Sequence, residues 1–499
     1  MVGRLSQRLK FSDVFVGEWT LEVRGASRGR EGREARRAAL LASSFALATS
    51  LALWGFTVDD ALITCRYAHH VATGRGYTFN PGGPVTDGVT PLGLPYLLAP
   101  FARGGALQAL VAAKLMGAAA HALAAGLVAW AVSTLAGPRL RWAGVGLWLV
   151  AAPAVAWSAS GLETPLAELL VAAGAALRLV GRREPLGVVL LGLSAWVRPE
   201  LLPLAVTLGA PRAAGASEPV VGARTFGRIA LVCAPFTVAA AVRVALFGRP
   251  APLSALAKPA DVTLGLQYSF VCLLVVGAVG LLAPLALRGA DRMTRWLSAA
   301  FFVHAGAVAF AGGDWMPVSR LFVPALPVLA LAVAGLARAS TPRATALRAA
   351  LALAGEIWVW VVVGHKLARV QADRDALIAE ARPLLASSRV IASLDVGWLG
   401  AAAPDAAIVD LAGVTDPEIA SLPGGHLRKK IPDGLLKDRG VDTIVMQLFK
   451  DYPVAEPWSE TVFARGLEIY VATEPGLEGR FEPAGVLEGR ARYVILRRR

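Results

Sequence analysis

The chain has 499 residues, 56% of them hydrophobic and only 17% charged, a composition too apolar for a soluble globular protein. Its 50 Lys and Arg exceed 36 Asp and Glu, for a net charge of +14. That excess does not imply nucleic-acid binding, because the basic residues collect in short gaps between apolar runs, where the positive-inside rule expects them, and no basic patch is interleaved with aromatics.

Apolar runs of about 20 residues recur from residue 38 to about 364 and predict a polytopic α-helical membrane bundle with about 11 crossings. A basic tail over 1–37, with Arg24, Arg28, Arg30, Arg33, Arg36 and Arg37, precedes the first run at 38–56. That run is long enough to span, and no small-residue cleavage site follows it, so it reads as a retained first helix with a cytoplasmic N-terminus. Basic gaps at Arg139 and Arg141, at Arg182 and Arg183, and over 212–228, 288–295 and 338–348 are expected in the cytoplasm. The alternate gaps, 57–105, 158–163, 198–200, 248–263 and 312–319, are expected on the periplasmic side. This scheme closes only if 185–210 forms a hairpin turning at Arg198-Pro199-Glu200, with arms of ~12 residues, about 18 Å each, too short for two full crossings.

Beyond the last apolar run, 365–499 has mixed charge and short β-like runs at Arg389–Leu394, Ala406–Leu411, Asp442–Gln447 and Arg492–Leu496. It is expected to be a small α/β domain, periplasmic by the count of crossings. Cys65, Cys233 and Cys272 are too scattered for a disulfide framework or a CxxC metal site.

The first outer loop carries an acidic pair, Asp59-Asp60, where the first helix leaves the bilayer, followed by a segment that predicts a short helix lying on the membrane and ending near Gly74. Asp59, Ile63 and Arg66 share one face of that helix. An Asp at such a surface can deprotonate a sugar hydroxyl while a cation holds a phosphate, although an isolated Asp-Asp pair more often caps a helix. The other outer gaps supply Glu163, Arg198, Glu200, Lys258, Asp314 and Arg320. Ionisable residues at that depth usually line a cavity, or else pair with one another to hold helix ends. Lys114 and His121, at i and i+7 in one apolar span, read as cavity lining or as packing. In the soluble domain Asp395, Asp410 and Asp416 sit at strand ends beside Gly, where binding loops and plain turns use the same residues.

Together these segments resemble polyprenyl-phosphate-dependent glycosyltransferases of the GT-C fold, closest to the terminal β-(1→2)-arabinofuranosyltransferase-like group. The resemblance is carried by Asp59-Asp60-Ala61-Leu62-Ile63-Thr64 with Arg66-Tyr67-Ala68 and Phe79-Asn80-Pro81-Gly82. Further blocks follow in the same order: Ser160-Gly161-Leu162-Glu163-Thr164, Arg198-Pro199-Glu200, the segment ending at Lys258, Gly312-Gly313-Asp314-Trp315 with Arg320, and Asp410-Leu411-Ala412-Gly413. The loop runs on as Thr90-Pro91-Leu92-Gly93 where that group has an aromatic, which leaves the sugar open. The resemblance implies transfer of a sugar from a polyprenyl-phosphate donor to a hydroxyl of an envelope glycan or glycolipid at the periplasmic face of the inner membrane. It makes Asp59 or Asp60 the general base and Arg66, Tyr67, Glu163, Arg198, Glu200, Lys258, Asp314 and Arg320 the substrate-binding residues. The cations would hold the donor phosphate, and the carboxylates would position sugar hydroxyls or a divalent cation. The alternatives are a transporter or flippase for a lipid-linked saccharide and a non-catalytic envelope assembly protein. The lack of an internal repeat and the large acidic first loop favour the enzyme.

Overall fold

A computed structural model describes residues 27–136, 140–181, 183–210, 223–282 and 287–499. The tail through residue 26, with Arg24, and the gap residues Arg139, Arg182 and Arg212 lie outside the described residues.

Among the described residues, four helices are long and apolar enough to cross a membrane: Ala106–Leu135, Ala223–Phe247, Arg320–Ala339 and the 44-residue run Pro342–Leu385. Some of the other apolar runs are cut into shorter helices, as at Ala151, where an extended residue separates Arg141–Val150 from Ala152–Ser158. Helix starts follow local chemistry. Asp261, Asp291 and Thr341 accept backbone N–H groups at the heads of the helices they precede, and prolines occupy the first turns at Pro165, Pro185, Pro327 and Pro342. Arg320–Ala339 is buried along nearly its whole length and forms the central post, whereas Ala223–Phe247 leaves Phe226 and Leu246 exposed on an outward apolar face.

The expected hairpin is present. Glu184–Val197 and Leu202–Gly209 are separated by an extended Arg198 and a short turn of 3₁₀ helix, Pro199–Leu201. A Cβ added to Gly192 or to Gly209 would in both cases strike Val232, at 2.5 and 2.4 Å. On a straight helix those two glycines would stand about 25 Å apart, so the chain must double back.

The helix that carries the last apolar run continues past 364. A π-helical turn at Trp360–Gly364 carries it on into Val370–Leu385, which brings Gln371 and Arg374 under the soluble domain. That domain has a five-stranded sheet: β1 (Val390–Ser393), β2 (Ala407–Asp410), β3 (Thr443–Gln447), β4 (Phe481–Leu487) and β5 (Tyr493–Arg498), in the order β2-β1-β3-β5-β4. The first three strands are parallel, and β5 runs antiparallel to both neighbours. Four of the five follow the expected runs. β4 escaped because it is an edge strand with Pro483 and Gly485 at an irregularity and with much of its length exposed.

The first loop, which follows α1 (Ser27–Ala52), contains the expected helix, α2 (Asp59–Ala72), but not as a surface element. Residues 61–68 and His70 are buried, with α2 wedged between Ala106–Leu135, the short helix Leu94–Leu98 and the soluble domain's helix Val396–Ala402.

Candidate active site

α2 meets the soluble domain along one face. Asp59 caps the helix Val396–Ala402, not its own: Oδ2 accepts the Gly397 N–H at 2.8 Å, Oδ1 accepts the Trp398 N–H at 2.9 Å, and the same carboxylate pairs with Arg374. Burial pushes the Asp59 carboxyl up to about 6, against the opposing pull of Arg374 and the two N–H donors. Two turns further on, Arg66 donates to the carbonyls of Phe79 (2.7 Å), Gly400 (2.9 Å), Ala403 (3.3 Å) and Ala406 (2.7 Å). The expected shared face of Asp59 and Arg66 therefore exists, and it binds protein.

Two expected ligands of the donor are thus placed elsewhere. The Arg66 guanidinium is buried and spent on carbonyls, so it clamps the loop to the soluble domain. Tyr67 is buried too, its hydroxyl 2.5 Å from Thr86 Oγ1 and its ring against Tyr77 and Phe79. Asn80 completes the docking: its side-chain amide donates to the Ile408 carbonyl at 2.9 Å and accepts the Ile408 N–H at 2.8 Å. It thereby covers the open edge of β2 as another strand would.

Asp60 differs from its neighbour. Adjacent helical residues point about 100° apart, so it leaves the docking face. Among the described residues no hydrogen bond or ion pair engages its carboxylate. It lies in electrostatic reach of His426, which also faces Lys258, Asp314 and Lys429. Lys258 Nζ stands 5.8 Å from the centre of the exposed Trp315 ring, and that ring lies 6.4 Å from the His426 imidazole. Burial, then Lys258, pulls the imidazole down to about 4 and keeps it neutral at pH 7. His426, in the irregular Gly424-Gly425-His426 segment, carries no signal that sequence reasoning can use.

The remaining expected residues form a paired chain. Arg198 is buried between Glu163 at 2.5 Å and Glu200 at 2.6 Å and senses Asp314, which pairs with Arg320 at 2.7 Å. Three carboxylates face two guanidiniums, so the chain holds no spare cation. Lys258 has no carboxylate partner among the described residues. The loop bearing Asp314 and Trp315 is strained: Gly312, Gly313, Val318 and Ser319 all have positive φ, and for a β-branched Val that is a costly conformation.

Lys114 and His121 have packing roles. Lys114 donates to the carbonyls of Phe56 (3.1 Å) and Trp54 and to Gln371, while His121 and the Trp148 indole share Glu168 at 2.9 and 3.0 Å. Asp410 closes a turn through the N–H groups of Ala412, Gly413 and Thr415, and Asp416 caps Pro417–Ser421. Among the described residues no three His, Cys, Asp or Glu side chains gather as a metal site. The three cysteines are free.

The helical bundle, with a helix of the first loop pressed beneath a C-terminal α/β domain, has a fold that solved structures share. Two crystal structures of ArnT from Cupriavidus metallidurans have this fold. The one bound to undecaprenyl phosphate superposes with a TM-score of 0.53 over 90% of this chain and 97% of that one, and the apo form with 0.54 over 90% and 96%, each at 14% identity. No family model matches the chain, and no curated protein matches it.

Proposed function

We propose that this protein is a polyprenyl-phosphate-dependent glycosyltransferase of the bacterial inner membrane. It moves a sugar from a lipid-linked donor to a hydroxyl of a cell-envelope glycan or glycolipid on the periplasmic side, with Asp60 as general base. The observation that carries this reading is the division of labour in the acidic pair: Asp59 is consumed in docking, while, among the described residues, the Asp60 carboxylate stays unpaired in electrostatic reach of His426, which Lys258 also faces. The fold likeness to an ArnT crystallised with undecaprenyl phosphate supports the donor class. So does the physics of a polyprenyl lipid, whose tail stays in the bilayer while its phosphate sits at the interface.

In this reading Asp60 takes the proton of the acceptor hydroxyl as its oxygen bonds to the anomeric carbon. The bond from that carbon to the phosphate oxygen breaks, and polyprenyl phosphate leaves with the electron pair. Lys258, the cation without a carboxylate partner, meets the charge of the departing phosphate. Glu163, Glu200 and Asp314, fixed by Arg198 and Arg320, orient sugar hydroxyls at the wall of the site. Neutral His426 and the Trp315 ring stand next to Lys258.

The test is transfer of radiolabelled sugar from a panel of polyprenyl-phosphate sugars by the full-length protein in nanodiscs. Appearance of label on an acceptor other than its polyprenyl donor, whether glycan or glycolipid, supports the reading. Label that crosses the bilayer still attached to its lipid, with no transfer from any donor, overturns it in favour of a transporter.

A further inference from the structure

In the soluble domain the chain leaves β1 for β2 on one side and then crosses back to β3 on the other. The strand order thus switches direction past the carboxyl ends of β1 and β3, the place where open α/β sheets bind ligands. Polar side chains collect there. Asp395 follows β1, Gln447 ends β3, and Tyr493, its partner across the antiparallel pair, begins β5. Arg465 donates to Asp395 and, at 2.6 Å, to Gln447 Oε1, while the Tyr493 hydroxyl donates to Asp395 Oδ2 at 2.7 Å. Glu468 accepts the Gln447 N–H at 2.8 Å and lies 3.8 Å from Arg465.

The cluster is not closed on itself. Glu468 is only 1% exposed, yet its Oε2 has no hydrogen-bond partner, and neither has the buried Trp398 indole N–H, whose ring packs against Tyr493 at 5.1 Å. Unmet buried polar atoms are costly and call for a ligand group. Burial also pushes the Glu468 carboxyl up to about 7, where it can either accept or donate. The Asp395 and Arg465 side chains are about a fifth exposed, at 21% and 20%. Just past Gln447, the exposed rings of Phe449 and Tyr452 meet edge to face at 5.7 Å around Asp451, which has φ 68°, a conformation few non-glycine residues adopt.

This combination selects a ligand. A simple anion meets Asp395 and Glu468, and a simple cation meets Arg465. An uncharged molecule rich in hydroxyls, with apolar C–H faces for the aromatic rings, satisfies every group. Asp395 also lies in electrostatic reach of Asp59, the neighbour of the proposed base. We infer that the switch point of this sheet, with Asp395, Arg465 and Glu468 at its centre and Tyr452 on the segment that follows β3, binds a saccharide unit of the acceptor glycan, beyond the hydroxyl that reacts. Only the word acceptor rests on the glycosyltransferase reading; saccharide binding does not.

The test is saturation-transfer NMR on the full-length protein in nanodiscs. The probes are the methyl glycosides of arabinofuranose, mannose, galactose and glucosamine disaccharides and core oligosaccharide released from lipopolysaccharide by mild acid. At least one probe is expected to receive saturation, with affinity lowered tenfold or more by Arg465→Gln and several-fold by Tyr452→Ala, an exposed position whose change leaves the fold intact. No signal from any probe, or a signal that neither variant weakens, overturns the site. Donor-lipid consumption, measured in parallel with the same saccharides supplied as acceptors, separates this outcome from failure of the enzymatic reading. Binding without consumption leaves a saccharide site on a protein of another function.

Discussion

Asp59 Oδ2 accepts the backbone N–H of Gly397 at 2.8 Å across 338 residues of sequence, and this contact fixes the height at which α2 sits against the soluble domain. Asp60, one residue on, inherits its position from that contact. The proposed base is therefore held by two domains together.

The approach leaves no room for a side chain. A Cβ on Gly397 would stand 2.1 Å from the Asp59 carbonyl oxygen, and one on Gly400 would stand 2.8 Å from Arg66 Cδ. Gly397→Ala is expected to destabilise the protein by about 1–3 kcal/mol through overpacking. Gly466→Ala, with nothing within 4 Å, serves as the neutral control. Thermal unfolding in detergent measures both.

Arg66 separates docking from phosphate binding. Arg66→Lys keeps the charge but cannot serve four carbonyls in fork geometry, so it is expected to cost about 2–4 kcal/mol of stability. The protein that remains folded should keep its KM for donor lipid. Lys258→Met should do the reverse, with an unchanged melting temperature and at least a tenfold fall in kcat/KM for the donor. Steady-state kinetics paired with melting curves distinguish the two.

His426 gives stability a pH dependence. Burial and Lys258, opposed by Asp60 and Asp314 and with Lys429 also near, hold its folded pKa at about 4, below the unfolded value of about 6.5. Between these values the unfolded chain binds a proton that the folded chain refuses, so stability falls as pH drops from 6.5 towards 4 and is unaffected by this group above 6.5. His426→Gln is expected to reduce the loss of melting temperature between pH 7.5 and pH 5. An equal loss in both proteins contradicts the assignment.

Much of this arrangement is legible in the chain. The hairpin at Arg198 follows from charge and length, and the common face of Asp59 and Arg66 follows from helical spacing. What that face touches is not legible, because its partners Gly397 and Gly400 come from a domain more than 300 residues away. Arg374 is hidden for another reason: it lies between Asp373 and Asp375 on a helix that reads as an ordinary solvated surface. The pairing of Glu163, Arg198 and Glu200 with one another depends on how three helix ends meet, which no local pattern encodes.

The role of Asp60 is decided by comparing sugar transfer by Asp60→Asn and Asp59→Asn proteins at matched folded concentration. Asp60→Asn is expected to keep the wild-type melting temperature and lose transfer by at least a hundredfold, while Asp59→Asn melts lower and keeps measurable transfer. Full transfer by Asp60→Asn, or its loss only in Asp59→Asn, contradicts the assignment of Asp60 as the base.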